Sequence, residues 1–226
     1  MTSITEWIAS GLTAPLSYND YLSSRGVTES TCIKFHSWTP PQTPSPCPKF
    51  TSTFGALGLR LKEQLLVPIH SPRGVILGFE ARQILPDGSK KVTQYRNHYA
   101  QWNPYFLGAE KAFKTLWAGG DIWIVEGMFD MVSLERVVPS SDAVISTLRA
   151  GMDKVSMEMI ERFCSQHSTI HICYDNDETG RNKTEWLYRL FLKSGLRVTK
   201  PVYRGKDPNE VWKLGGDTLL KRYFLF

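Results

Sequence analysis

The chain has 226 residues, of which 42% are apolar, and it carries a formal net charge of +5. This length and apolar fraction are typical of one large globular domain or of two small ones. The chain contains no run of about 18 apolar residues, and its first residues lack the basic and apolar regions of a signal peptide. These features argue against a transmembrane helix, and they predict a cytoplasmic protein with no membrane partner.

The four cysteines are scattered along the chain, and no CxxC pair occurs among Cys32, Cys47, Cys164 and Cys173. Because paired cysteines at metal-binding spacing are missing, we expect no zinc site. Buried free thiols are the simplest interpretation, and they suit the reducing interior of a cell.

The excess of positive charge is confined to the middle of the chain. Residues 54–118 hold nine basic and four acidic side chains, whereas the basic and acidic side chains balance in residues 1–53 and in residues 119–226. A localised basic surface is typical of a protein that binds a polyphosphate such as nucleic acid. A solvated face with an incidental charge bias explains the same counts equally well.

The first part of the chain predicts a lobe of short helices and antiparallel strands. Residues 18–36 predict two short helices, the first of which ends at Gly26. Five prolines within residues 40–48 predict a surface loop or a linker. The segments LLVPIH, VILGFEARQIL and KKVTQYR are separated by the turn sequences SPRG and PDGS, so residues 65–96 predict an antiparallel meander. Helical signals return near Ala109 and end at Gly119 and Gly120.

From residue 119 onward, short apolar segments alternate with helical ones. The predicted strands are IWIV, DAVISTL, TIHICY and LRVTKPVY, and amphipathic segments lie between them. Alternation of this kind is typical of a mainly parallel sheet flanked by helices. We therefore predict an α+β N-terminal lobe over residues 1–118 and an α/β domain over residues 119–226, which includes a C-terminal helix.

Acidic residues follow three of the predicted strands: Glu126 follows IWIV, Asp175 follows TIHICY, and Asp207 comes a few residues after VTKPVY. Asp177 lies beside Asp175, and Asp130 comes four residues after Glu126. Functional groups gather at the carboxyl ends of parallel strands, so we expect these five carboxylates to lie close together. Such carboxylates repel each other, and oxygen ligands without His or Cys favour Mg²⁺ or Mn²⁺. Any one of them alone is equally explained as a solvated strand end.

Three motifs carry a resemblance to a known family. VEGMFD, YDNDETGR and GKDPNE, at residues 125–130, 174–181 and 205–210, resemble the acidic motifs of the TOPRIM domain. That domain is shared by primases, topoisomerases, small nucleases and recombination mediators. Within this group, GKDPNE and the preceding LWAGG are similar to bacterial and phage-type DNA primases. NDYLSSRGVTESTCIKF, LLVPIHSPRGVILGFEARQI and YFLGAEKA also resemble the catalytic core of those primases, so the resemblance covers about residues 18–213.

The resemblance implies a nucleotidyltransferase that makes short RNA primers from NTPs on a single-stranded DNA template. Glu126, Asp175 and Asp177 would be catalytic and would hold Mg²⁺ or Mn²⁺, with Asp130 and Asp207 as further metal ligands. The residues implied to contact nucleotide or DNA are Arg82, Lys90, Lys91, Arg96, Arg181 and Lys206. We expect Gly180 to let a helix begin close to the strand end, and Arg181 either to reach phosphate or to pair with an acid.

The sequence departs from the family pattern in three ways. Asn209 stands where bacterial primases usually have a second Asp, as in phage primase–helicases, and an amide oxygen can coordinate a metal but adds no charge. Gln64 and Gln94 lie near positions that are usually basic, which puts NTP contacts there in doubt. No zinc-binding module precedes the core and no helicase follows it, so we expect a partner protein (a replicative helicase or another replication protein), looser initiation, or another template-recognition element. The short length and Asn209 favour a protein encoded by a phage, a plasmid or another mobile element.

Two other functions stay open at this point. A TOPRIM nuclease would need the carboxylates but not the basic lobe that precedes them. A non-catalytic DNA-binding replication adaptor would tolerate loss of a metal carboxylate, yet all the expected acids are present. A topoisomerase is disfavoured because the chain is too short for strand-passage domains.

Overall fold

A computed structural model describes residues 12–15, 20–27, 36–38, 65–84, 90–96 and 98–226. The second predicted short helix, the proline-rich segment and Gln64 lie outside the described residues. Within the described part of the chain, no helix has both the length and the apolar character needed to cross a membrane.

The N-terminal part forms a five-stranded antiparallel sheet. Its strands, which pair in chain order, are β1 (Leu12–Pro15), β2 (His36–Trp38), β3 (Leu65–His70), β4 (Ile76–Ile84) and β5 (Lys90–Arg96). A short helix, α1 (Asp20–Ser24), lies between β1 and β2, and Gly26 follows it with a φ of 78°. The predicted meander over residues 65–96 is confirmed, because alternating apolar residues and two turn sequences specify it locally.

A connecting segment leads into the second sheet. It contains a 3₁₀ helix (His98–Gln101) and α2 (Ala109–Trp117). Leu107 forms an antiparallel bridge with Ser146, which lies at the end of an edge strand of the second sheet. Gly119, with a φ of 83°, follows α2, as the two glycines at this point predict.

The second sheet is four-stranded and entirely parallel. Its strands are β6 (Ile122–Val125), β7 (Ala143–Ser146), β8 (Thr169–Cys173) and β9 (Arg197–Thr199), in the order β7-β6-β8-β9. The helices are α3 (Met128–Glu135), α4 (Lys154–Phe163), α5 (Glu178–Lys193) and α6 (Pro208–Phe224). The backbone of α6 is interrupted at Gly215 and Gly216. The predicted fold class is therefore confirmed.

The two faces of the parallel sheet contribute to different cores. Along β6, Ile122 and Ile124 pack into a cluster with residues of α2, α4 and α5, whereas Trp123 and Val125 point the other way. In the second cluster, Trp123 and Val125 pack with Leu65, Val67 and Ile69 of β3 and with residues of α3 and α6. Because side chains alternate along a strand, one short apolar strand supplies both cores. The antiparallel lobe and the parallel sheet thus share a hydrophobic core.

The start of α5 lies close to the end of β8. A Cβ atom built on Gly180 would lie 2.0 Å from the carbonyl oxygen of Asp175, a distance that no real contact tolerates. The absence of a side chain at this position therefore allows the helix to begin directly beside the strand end, as the sequence predicts.

We predict that Gly180→Ala destabilises the protein by about 1–3 kcal/mol, because the added methyl group forces the backbone apart at the end of β8. Urea unfolding measures this difference in the free energy of unfolding. Thr179→Ala, at an exposed position in the same helical turn, is the control and should change stability by less than about 0.5 kcal/mol. Equal stability of the two variants would show that the close approach is not needed.

Candidate active site

Two of the predicted acids lie at the ends of adjacent strands. Glu126 follows β6 directly, and Asp175 lies two residues past the end of β8. Val125 pairs with Cys173 in the parallel register, so the two acids leave the sheet at the same edge. Asp207 is the N-cap residue of α6, and its side chain accepts a hydrogen bond from the Glu210 backbone N–H at 2.7 Å.

The acids meet basic residues of the N-terminal lobe around one cavity of about 260 Å³. Its acidic wall contains Glu126, Asp130, Asp175 and Asp207. The basic residues that line it are Arg25, Arg82, Lys90 and Lys206, and the other lining residues are Glu80, Val92, Gly127, Phe129, Leu148 and Asn209. The structure thus brings acidic residues of the parallel-sheet domain and basic residues of the lobe to one cavity.

The carboxylates raise one another's pKa values. Burial raises the pKa of Glu126 to about 7, and the nearby Asp175 and Asp177 contribute to the increase. Burial and Asp207 likewise raise the pKa of Asp175. Lys206 relieves part of this repulsion, since its Nζ lies 3.4 Å from Asp175 Oδ2, and Asp175 in turn raises the pKa of Lys206. The site is therefore suited to attract positive charge.

Asp130 is the most buried of the five acids. Its two carboxylate oxygens accept hydrogen bonds from the backbone N–H groups of Gly127, at 3.1 Å, and Asn209, at 3.0 Å. Its pKa is raised well above the usual range, chiefly by burial and by Asp207. Asp130 therefore joins the starts of α3 and α6 in addition to lining the cavity.

Asp177 and Arg181 lie just outside this cavity. Asp177 is exposed and caps α5, because its Oδ1 accepts a hydrogen bond from the Gly180 N–H at 2.9 Å. The Arg181 Nη1 donates to the carbonyl and side-chain oxygens of Asn176, at 2.7 and 3.2 Å. In this structure Arg181 thus binds the loop after β8 rather than an acidic residue, and it lines a separate cleft of about 500 Å³ that also contacts Asp175.

The predicted basic residues of the lobe lie in three environments: the cavity, the solvent-exposed surface, and the face of the Tyr105 ring. Arg82 is buried; its Nε donates to Glu80 Oε1 at 2.6 Å, and its guanidinium lies 5.1 Å from the Phe129 ring centroid. Lys90 also lines the cavity, where burial and then Arg82 lower its pKa. Lys91 is exposed and does not line the cavity. Arg96 instead lies 3.8 Å from the Tyr105 ring centroid.

Sequence reasoning missed two charged residues of this cavity. Arg25 comes just after α1, and its guanidinium lies 5.6 Å from the Phe129 ring centroid. Glu80 is 1% exposed and accepts hydrogen bonds from Arg82 and from Gln94 Nε2. Gln94 also donates to the Leu148 carbonyl at 3.3 Å. In the sequence, SSRG marks only the end of a helix and gives no sign that Arg25 reaches the cavity. For Glu80 the sequence offers a signal, because strand alternation places it on the same face as Arg82.

The donor set fits a divalent cation of the magnesium type. The cavity lining includes four carboxylates and the Asn209 amide, which are oxygen ligands of the type that Mg²⁺ accepts. Burial raises the pKa of Glu126, and Asp175 and Asp177 raise it further, so a cation here would relieve repulsion. In the described ranges of the chain, however, no three His, Cys, Asp or Glu side chains form a ready group of metal ligands.

We predict that Glu126→Gln stabilises the metal-free protein at pH 8 by about 1 kcal/mol, after allowance for solvent screening. The folded-state pKa of Glu126 is raised to about 7. Its protonated form therefore favours folding at low pH, and this contribution is lost as the pH rises through 7. The advantage of the variant should accordingly disappear near pH 5. Thermal unfolding in EDTA measures it, with exposed Glu158→Gln as the control; an equal advantage at both pH values would contradict the assignment.

Comparison with known proteins finds similar sequences and folds. Residues 123–212 match a family described as Toprim-like. A DNA primase of Aquifex aeolicus is 28% identical over 162 residues, which cover 70% of this chain and 31% of the relative. A DNA primase of Borreliella burgdorferi is 26% identical, and 30% of its length is covered. The chain therefore spans about a third of the length of these relatives.

Solved structures show the same fold. The zinc-binding and RNA polymerase domains of the Aquifex aeolicus primase align with a TM-score of 0.64 at 21% identity, covering 90% of this chain and 54% of that one. A DnaG primase catalytic domain bound to single-stranded DNA aligns with a TM-score of 0.62 at 18% identity, covering 89% and 68% of the two chains. Residues 123–212 are thus similar to a Toprim-like family, and the chain is similar in sequence and in fold to bacterial DNA primases.

Proposed function

We propose that this chain is a primase catalytic core, which makes short RNA primers from NTPs on a single-stranded DNA template in a metal-dependent reaction. The observation that carries the proposal is the single cavity that is lined by Glu126, Asp175 and Asp207 together with Arg25, Arg82 and Lys90. Homology to DNA primases supports it. Catalysis of phosphoryl transfer depends mainly on positioning and on charge stabilisation, and this cavity offers both.

The reaction needs two kinds of contact. The 3′-hydroxyl oxygen of one nucleotide forms a bond to the α-phosphorus of the next NTP, and the bond between the α-phosphorus and the bridging oxygen breaks to release pyrophosphate. The NTP brings several negative charges, which the cations of the lobe can hold by charge-assisted hydrogen bonds. In Arg82, the Nε is held by Glu80, so the guanidinium is oriented before substrate binds.

A divalent cation, Mg²⁺ or Mn²⁺, would neutralise the reacting phosphate and activate the attacking oxygen. Glu126 and Asp175 are the first candidates to hold it, because they leave adjacent strands at the same sheet edge. Three further acids lie near them. Besides burial, Asp177 and Asp207 raise the pKa of Glu126, and Asp207 raises that of Asp130. Lys206 would release Asp175 as an ion binds, and its ammonium group would then be available for phosphate.

The proposed partners follow from this chemistry. Single-stranded DNA would serve as template, as the DNA-bound DnaG relative suggests, and NTPs would be the substrates. A replicative helicase or another replication protein would bring the chain to its template, and the reaction would take place in the cytoplasm of a bacterial cell. The exposed cations Lys91 and Arg181 are candidates for contacts with the DNA backbone rather than with the reacting phosphates.

We predict that Asp175→Ala lowers incorporation of labelled NTPs on single-stranded DNA by about a hundredfold or more. The carboxylate is lost from the reacting centre, whereas the basic surface that binds DNA is kept. DNA affinity, measured by fluorescence anisotropy, should therefore stay within about twofold of the wild type. Glu158→Gln is the control and should prime normally. Glu158 is exposed, pairs with Lys154 and does not line the cavity.

The same assay separates the rival functions. Primer synthesis by Asp175→Ala would refute the assignment of the catalytic acids. Cleavage of the template by the wild-type protein, without NTP incorporation, would instead indicate a TOPRIM nuclease. DNA binding with neither reaction, in Mg²⁺ and in Mn²⁺, would indicate a replication adaptor.

We also predict that Lys90→Ala raises the KM for NTP about tenfold, as expected for loss of one charge-assisted contact. Lys91→Ala is a matched control, because the two lysines are adjacent in β5 but only Lys90 lines the cavity. Its KM should stay within about twofold of the wild-type value. Steady-state primer synthesis measures both constants, and equal effects of the two substitutions would show that the cavity does not hold the triphosphate.

A further inference from the structure

Asn209 combines burial with a position in the wall of the cavity. It is the second residue of α6 and is 3% exposed. Its backbone N–H donates to Asp130, and its side chain reaches two other parts of the molecule. A buried polar side chain with this many partners is costly to misplace, so the identity of the group at this position matters.

The orientation of the Asn209 amide is determined by its neighbours. Nδ2 lies 2.8 Å from the Arg25 carbonyl oxygen and 2.9 Å from Ser133 Oγ. The Ser133 hydroxyl donates its own hydrogen to the Phe129 carbonyl, at 2.9 Å, so Ser133 Oγ accepts from the amide. Both neighbours are therefore acceptors, and only the NH₂ end of the amide can face them.

The amide oxygen points to a different environment. Asn209 Oδ1 is buried and has no hydrogen-bond partner within the part of the chain that the structure describes. A carboxylate at position 209 would place one oxygen against two acceptors and would add a negative charge beside Asp130, whose own pKa is already raised. Loss of both donors together with added repulsion would weaken the contact with Arg25.

The segment held by this amide presents Arg25 to the cavity. The turn after α1 is closed by backbone hydrogen bonds from Gly26 to Ser23 and from Val27 to Leu22. The Trp212 ring lies against Gly26, and the Arg136 Nη1 reaches the Gly26 carbonyl at 3.5 Å. These contacts hold the turn on the domain. The Arg25 N–H donates to the Leu22 carbonyl within the turn, at 3.0 Å, and the Asn209 side chain binds the Arg25 carbonyl from α6.

We propose that Asn209 is a positioning residue whose side-chain amide fixes the main chain of Arg25, and with it the Arg25 guanidinium, on the cationic side of the cavity. Its effect on catalysis rests on the function proposed above, whereas its effect on the turn after α1 does not. An isosteric carboxylate cannot perform this role, because it lacks the two N–H donors. In this chain, where the Arg25 carbonyl and Ser133 Oγ both accept, the position therefore favours an amide over a carboxylate.

The proposal is tested first by hydrogen exchange, which does not depend on enzymatic activity. In Asn209→Asp, amides of residues 20–27 should exchange about tenfold faster than in the wild type, while those of β6 and β8 keep their protection. Asn182→Asp, which makes the same change at an exposed position of α5, is the control and should not alter exchange. Unchanged exchange of residues 20–27 in Asn209→Asp would overturn the proposal.

The kinetic test asks whether Asn209 acts through Arg25. Asn209→Asp should raise the KM for NTP about tenfold, with a smaller effect on kcat, because Arg25 contacts bound substrate. Arg25→Ala should do the same, and the double variant should be no worse than Arg25→Ala alone. Additive effects would overturn the proposal, as would a lower Mn²⁺ requirement in Asn209→Asp, since the latter would indicate a metal ligand.

A second variant keeps the test decisive if Asn209→Asp does not fold. Ser133→Ala removes one of the two acceptors with little change in volume, and residues 20–27 should then exchange about threefold faster. No change in this variant, with Asn209→Asp unfolded, would count against the proposal. If the wild-type protein makes no primers, the proposed function fails, yet the exchange measurements still decide the role of Asn209.

Discussion

Repulsion among carboxylates at the edge of a parallel sheet is the constraint on which the site depends. Glu126 and Asp175 leave adjacent strands in matched register, and their mutual repulsion together with burial raises the pKa of Glu126 to about 7. Such an arrangement is unfavourable unless positive charge is nearby. Lys206 provides part of this positive charge through its contact with Asp175. Arg25, Arg82 and Lys90 of the lobe line the same cavity.

The shared hydrophobic core joins the lobe that carries the cations to the sheet that carries the carboxylates. Trp123 and Val125 of the parallel sheet pack in the same cluster as Leu65 and Val67 of the antiparallel sheet. Apolar contacts therefore join the lobe to the parallel sheet, in addition to the charges at the cavity. Two hydrogen bonds also join the lobe to the parallel-sheet domain. Asn209 Nδ2 donates to the Arg25 carbonyl, and Gln94 Nε2 donates to the Leu148 carbonyl.

Much of the fold could be predicted from the sequence because its signals are local. The meander between residues 65 and 96 has alternating apolar residues and turn sequences, and several helices after residue 119 begin at a capping residue: Asp153, Asp177 and Asp207. The proximity of Glu126 and Asp175 followed from the rule that parallel strands end at one edge. The participation of Arg25 could not be predicted, because it depends on how the lobe packs on the sheet, whereas strand alternation offered a signal for Glu80.

The sequence by itself determined the order of strands and helices, the acidic motifs and the confinement of excess positive charge to the middle of the chain. Tertiary structure alone decided which charges meet. Lys90 lines the cavity and its neighbour Lys91 does not, and the Asn209 amide bonds to a carbonyl that lies 184 residues away in sequence. Local patterns follow from backbone periodicity, whereas contacts of this range arise only when separate elements pack around a common core.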